Sequence, residues 1–204
     1  MAQSMEAPIN ALLGNRRVVL GSQSPRRIQL LGELGLHITV RPSEVEEVYP
    51  ESLPIEEVAP FLSRLKADSL RPSLSDEEIL ITADTVVLLE GELLGKPTDL
   101  DHARDFLHRL SGKINTVITG YTIMDAHGKV IAGQAVSKIK FAPLEESEIE
   151  YYIRRCEVLD KAGAYGVQDW IGLIAVEDIQ GSYNNIIGLP TALIYRDLKA
   201  FLSK

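Results

Sequence analysis

At 204 residues, with 45% hydrophobic and 25% charged side chains, the chain is long enough for a substantial core and ordinary for a globular protein. A net charge of −8 excludes the broad basic surface of a general nucleic-acid binder, but not a small polyphosphate gripped by a few converging cations. No apolar run approaches the roughly 20 residues needed to cross a bilayer, no signal-peptide pattern opens the chain, and the single cysteine, Cys156, forms no intrachain disulfide, so the expected compartment is the cytoplasm.

Residues 1–16 read as a flexible leader, followed by one domain over 17–204. Residues 18–21 read as a short buried strand leading into Ser-Pro. Ile28, Leu30, Leu31 and Leu34 then fit one face of a helix over 25–34 that Gly35 ends. A second strand is expected over 37–40, and an exposed loop over 42–53, where Pro42, Pro50 and four glutamates cluster. Pro54 opens a helix to 70 with Val58, Phe61, Leu62 and Leu65 on one face. A long β-rich stretch over 79–89 turns at Glu90-Gly91 into a short partner, 92–94. Thr98 is the expected cap of a helix over 99–110, closed by Ser111-Gly112. Residues 117–124 and 130–141 form a hairpin around His127-Gly128, and a helix follows over 144–155. A Gly-rich segment, an apolar strand over 171–176 and a last helix over 191–202 complete the chain. The mixture predicts an α/β fold with a long mixed sheet and flanking helices.

Three groups of residues carry candidate chemistry. In Ser22-Gln23-Ser24-Pro25-Arg26-Arg27, Ser24 suits a helix cap and Pro25 the first helical position. The arginines stand where the helix dipole is positive, which disfavours cations unless an anion lies between them and the free N–H groups. The other reading is a capped helix whose arginines pair with acidic loop residues. Asp84 is the one charge within residues 79–89. A carboxylate in a core strand needs a cation, a metal or several donors. It therefore reads as a metal ligand or general base, with the Thr85 hydroxyl beside it, or else as a structural Asp paired with a lysine. Lys66, Lys96 and Lys161 sit in constrained settings and suit the charge of phosphoryl transfer.

Gly95-Lys96-Pro97 is not a P-loop. His37, His102, His108 and His127 show no zinc spacing, and no serine-hydrolase elbow is present. Two further Gly-rich segments, 161–168 with Lys161 and Gln168, and 181–190 with Ser182 at a turn, supply a side-chain amide able to read a base edge and another cappable turn. From the residues alone, the reading stops at polyphosphate plus metal.

Ser24-Pro25-Arg26-Arg27, Ala83-Asp84-Thr85-Val86-Val87, Gly95-Lys96-Pro97, Ser111-Gly112 with Thr119-Gly120, Lys161-Ala162-Gly163-Ala164-Tyr165-Gly166, and Gly181-Ser182-Tyr183 with Gly188-Leu189-Pro190 together resemble the Maf family of nucleotide pyrophosphatases, in the family's order. The resemblance implies an elongated α/β fold similar to that of inosine triphosphate pyrophosphatases, with two lobes around a cleft, and a homodimer. It implies hydrolysis of a nucleoside triphosphate to monophosphate and pyrophosphate with a divalent cation, Mg²⁺ or Mn²⁺. Asp84 matches the catalytic proton acceptor, and Arg26, Thr85 and Gln168 match the positions that set base choice, in the branch that prefers dTTP and UTP. Lys66 and Lys96 match phosphate or metal contacts, as does Glu47, with Glu46 its competitor. Ser22, Ser24, Arg27, Lys161 and Ser182 complete the expected phosphate grip, and Asp84 with Glu47 the expected metal ligands. The expected partner is the nucleotide, with no nucleic acid and no membrane. Clearance of modified pyrimidine nucleotides, acceptance of CTP, and a nucleotide-sensing role in cell division without turnover are the alternatives. One position departs from the family pattern: Asn115 stands where the family has histidine, and no imidazole role transfers to it.

Overall fold

The computed structural model describes residues 6–203. Seven strands form one sheet in the order β2-β1-β3-β5-β6-β7, with β4 paired to β3. They are β1 (Arg17–Leu20), β2 (Ile38–Val40), β3 (Glu78–Leu89), β4 (Glu92–Leu94), β5 (Ile114–Asp125), β6 (Val130–Phe141) and β7 (Val176–Gln180). Strands β2, β1 and β3 run parallel and every other pairing is antiparallel, so the sheet is mixed, as expected. Helices α1 (Pro8–Leu13), α2 (Pro25–Glu33), α3 (Val58–Leu70), α4 (Leu100–Leu110), α5 (Glu146–Arg155), α6 (Trp170–Ala175), α7 (Tyr183–Ile187) and α8 (Thr191–Leu202) flank it.

Strand β3 is buried on both faces, which is why its sequence is apolar without alternation. Its even positions face α3. Leu80 packs with Ala67 and Leu70, and Val86 and Leu88 pack with Val58 and Leu62. Its odd positions carry two separate clusters. Ile79, Ile81 and Ala83 pack with residues of α1, α2 and α8, and Val87 and Leu89 with residues of α4, α5 and α6. The core therefore divides in two along the strand, with Thr85 at the junction. Pairing divides at the same place, since β1 covers β3 through Ile81 and β4 resumes at Val87. Between them the strand edge is open, and Asp84 and Thr85 lie in the gap.

Four expectations need correction. Within the expected leader, Pro8–Leu13 is helix α1, because Ile9 and Leu13, four apart, bury one face in the core beside α8; residues 1–5 lie outside the described residues. The expected strand over 171–176 is α6, and pairing with β6 begins only at Val176. A short apolar run carries no period able to separate the two. Helix α4 is capped by Asp99, whose carboxylate accepts the His102 N–H at 2.8 Å, while the Thr98 hydroxyl bonds Asp99 instead. Helix α2 has no cap from the Ser24 side chain; Ser22 Oγ accepts the Ser24 N–H at 3.2 Å and orders the turn.

Candidate active site

The gap beside β3 opens into a pocket of about 650 Å³. Its floor is Asp84, 8% exposed. Lys66 lies on the α3 stripe that faces the sheet, among Leu62, Ser63, Ala67 and Leu70, a position the period otherwise assigns to apolar residues. Its Nζ donates to Asp84 Oδ1 at 2.5 Å and lies 2.8 Å from Glu47 Oε1. Burial raises the Asp84 pKa above its ordinary value, while Lys66 and Arg27 pull it down less strongly. One ammonium thus serves two carboxylates, one buried and one from the 42–53 loop. Glu46 does not line the pocket and Glu47 does, so geometry favours Glu47 between the two candidates.

Gly120, opposite Asp84 on β5, makes this contact reachable. A Cβ there would stand 2.3 Å from the Pro60 nitrogen and 2.5 Å from the Ala59 carbonyl carbon. Only glycine lets the first turn of α3 lie this close to the sheet. Buried hydrogen bonds fix the next turn: Thr82 Oγ1 donates to the Ser63 carbonyl at 2.7 Å, and the Ser63 and Thr122 hydroxyls meet at 3.1 Å.

The two arginines of the Ser-Pro turn divide. Arg27 donates to the Gly188 carbonyl at 2.9 Å, to Ser22 Oγ at 3.2 Å and to Thr85 Oγ1 at 3.0 Å. Burial lowers its pKa, opposed by Asp84. It is a tether joining α2, β3 and the turn before α8. Arg26 reaches across the pocket to Asp160 Oδ2 at 2.9 Å. Thr85 also meets Thr119 Oγ1 at 2.9 Å, so its hydroxyl is held on two sides.

Ser22, Ser24, Lys96, Lys161 and Gln168 all line the pocket. Lys96 and Gln168 are exposed within it. Lys161 is buried and bound to the Glu157 carbonyl and, at 2.7 Å, to Asp160. Ser182 does not line the pocket: its hydroxyl accepts the Asn185 N–H at 3.3 Å at the start of α7 and its carbonyl accepts from Ser137. The expected phosphate role for Ser182 is corrected accordingly, because the turn it caps packs against β5 and β6. Asn115, at the position that departs from the pattern, is fully buried and accepts the Tyr165 hydroxyl at 2.8 Å. Trp170 packs on Tyr151, with ring centroids 4.6 Å apart, away from the pocket lining. Sequence reasoning missed Asp160; its signal was a carboxylate directly before Lys161 in a Gly-rich segment.

A family model described as Maf-like protein matches residues 17–201. The chain belongs to the Maf-like family. Among curated relatives, the dTTP/UTP pyrophosphatase of Phocaeicola vulgatus is 44% identical over 184 residues, covering 90% of this chain and 95% of the relative. That of Porphyromonas gingivalis strain W83 is 43% identical over 188 residues, covering 91% and 94%. A solved nucleoside-triphosphatase/dITP/XTP pyrophosphatase from Mycobacterium abscessus aligns over 92% of this chain and 96% of its own at 12% identity, with a TM-score of 0.45, too weak a likeness to bear on fold or function. No helix among the described residues is long and apolar enough to cross a membrane.

Proposed function

We propose that the chain hydrolyses nucleoside triphosphates, preferentially dTTP and UTP, to the monophosphate and pyrophosphate. The observation that carries this is the buried Asp84, bound by Lys66 and backed by Glu47, on the floor of a pocket that Arg26, Arg27, Lys96 and Lys161 also line, together with Glu44 and Asp160. The relatives' activity supports the substrate class. Water attacks the α-phosphorus, and the bond to the β-phosphate oxygen breaks as pyrophosphate leaves. Asp84 orients the water and takes its proton. Lys66 neutralises the phosphate beside it, and Lys96, exposed at the pocket wall, meets the leaving pyrophosphate. Arg26 and the Ser22–Ser24 turn meet the nucleotide from α2, while Arg27 keeps that turn on β3 and adds positive charge. Thr85 and Gln168 with Arg26 choose the base. An amide that loses its partner with a purine rejects the wrong nucleotide.

A divalent cation fits the donor set. Asp84 and Glu47 already converge on one cation, the Lys66 ammonium, and both are hard oxygen donors. Among the described residues no group of three or more metal-binding side chains occurs, so Asp84 and Glu47 would hold Mg²⁺ or Mn²⁺ together with phosphate oxygens of the substrate, as is usual for such sites. When bound, the ion supplies Lewis-acid charge to the phosphate.

Pyrophosphate release from dTTP, UTP, CTP and GTP, with and without Mg²⁺ or Mn²⁺, tests the reading. The expected outcome is cation-dependent release with kcat/KM for dTTP and UTP about tenfold or more above GTP. Equal rates on all four overturn the pyrimidine preference, and no release from any overturns the activity.

A further inference from the structure

A chain of polar contacts runs from the phosphate turn to the base-reading segment, and its midpoint is Asp160. Arg26 Nη1 donates to Asp160 Oδ2 at 2.9 Å, linking the first turn of α2 to the loop after α5. The other Asp160 oxygen accepts from Lys161 Nζ at 2.7 Å. Lys161 is the fixed end. Its side chain is 9% exposed, it also donates to the Glu157 carbonyl, and it lies 3.7 Å from Asp169 Oδ2. Asp169 accepts from the Tyr152 hydroxyl at 2.8 Å, and that hydroxyl accepts the Gly166 N–H at 3.1 Å. Gly166 lies two residues before Gln168.

Asp160 is thus an acceptor fixed by a buried lysine, while Arg26 makes no other side-chain hydrogen bond among the described residues. Burial opposes ionisation of Asp160, but Lys161 and Arg26 outweigh it and hold its pKa below the ordinary value. The guanidinium carries five N–H donors; the Asp160 contact uses one and leaves the others for a ligand. A half-exposed ion pair adds little to stability. Its consequence is geometric: a long, flexible side chain at the pocket mouth is held in one orientation.

We infer that Asp160 is a positioning residue that holds Arg26 across the pocket mouth, so that discrimination between bases depends on a carboxylate that itself need not touch the nucleotide. This rests on the reading of the pocket as a nucleoside triphosphate site. Were Asp160 instead a competitor that the incoming phosphates displace, removing its charge would tighten binding; the two cases predict opposite signs.

The test is a double-mutant cycle on the full chain, reading pyrophosphate release from dTTP, UTP, CTP and GTP for wild type, Asp160→Asn, Asp160→Glu, Arg26→Ala and the double variant Asp160→Asn/Arg26→Ala. Asp160→Asn is expected to raise KM for dTTP about fivefold with kcat changed less than about twofold, and to narrow the preference for dTTP over GTP by a similar factor. Asp160→Glu, which restores the charge, recovers most of the loss. On the Arg26→Ala background, Asp160→Asn changes KM less than about twofold, because there is no guanidinium left to position. A lower KM in Asp160→Asn, or an effect of full size without Arg26, overturns the proposal. If Asp160→Asn does not fold, Asp160→Ser takes its place in the same cycle. A wild-type chain that discriminates while the two substitutions act additively sinks the Asp160 role alone. A wild-type chain that releases no pyrophosphate from any nucleotide sinks the pocket reading and this role together.

Discussion

At the scale of single residues, the electrostatics of Asp84 set a pH dependence. Burial pushes its pKa up and the cations Lys66 and Arg27 pull it down, and burial is the larger effect. A general base works only when ionised, so activity is present above its pKa and lost as pH falls through it. The acid limb of kcat/KM, which reports the free enzyme, is therefore expected above the ordinary aspartate value of 3.8 when divalent cation is limiting, and raising the cation concentration, which favours the ionised carboxylate, moves it to lower pH. In Lys66→Met, which removes the largest opposing contribution, the limb moves to higher pH. A limb that stays in place, or moves down, removes Asp84 from the role of base. Asp84→Asn is expected to lower kcat by about 10²-fold or more, and unchanged release from dTTP would falsify the assignment. Asn115 shows how one position can depart from a family pattern without leaving a gap, since its carboxamide oxygen meets the buried Tyr165 hydroxyl. That bond holds the backbone just before Gln168 without a titrating imidazole.

At the scale of elements, the decisive contact is α3 against β3 and β5. Lys66 reaches Asp84 only because the helix lies close to the sheet, and that closeness depends on Gly120. In Gly120→Ala the added methyl meets backbone atoms, which give way only if the whole helix shifts. The expected cost is about 3 kcal/mol, or roughly 6–12 °C in Tm for a chain of this size. Pyrophosphate release should fall about tenfold or more even at temperatures where the variant is folded, because a displacement near 1 Å at a catalytic group costs on the order of 10²-fold. Thermal denaturation and initial rates at low temperature check the two halves separately. A variant with native Tm and native rate would show that the approach is not needed.

At the scale of the whole molecule, the pocket lies where two core clusters meet, with α2 and β3 on one side and the loops after β4 and α5 on the other. A nucleotide spanning that junction binds only the folded chain. For Asp84→Asn, which holds dTTP without rapid turnover, nucleotide at about 100 times its Kd should add about 2.7 kcal/mol, a rise of roughly 5–10 °C in Tm. The same concentration of GTP should add less. Equal shifts for both would place base choice in the chemical step and not in binding.

Much of this was legible in the sequence. A lone carboxylate in an eleven-residue apolar stretch marked Asp84, because burying an unpaired charge is too costly to be incidental. Pro and Gly punctuation located α2, α3 and most of the sheet, since these residues act on the local backbone. Errors fell where the local signal was degenerate. Residues 171–176 are apolar whether helix or strand, and only the reach of β6 decided between them. Ser182 and Ser24 have the same local chemistry, yet one turn faces the pocket and the other packs against β5 and β6. The two arginines stand side by side in the chain, and nothing local says that Arg27 is tied to Gly188 and Thr85 while Arg26 meets Asp160. Residue types and their periods determined which groups are candidates for the chemistry and most of the elements that hold them. Long-range packing, through partners as far apart as Arg26 and Asp160, decided which of those groups are free to touch a substrate, because contacts between distant segments leave no local period to read.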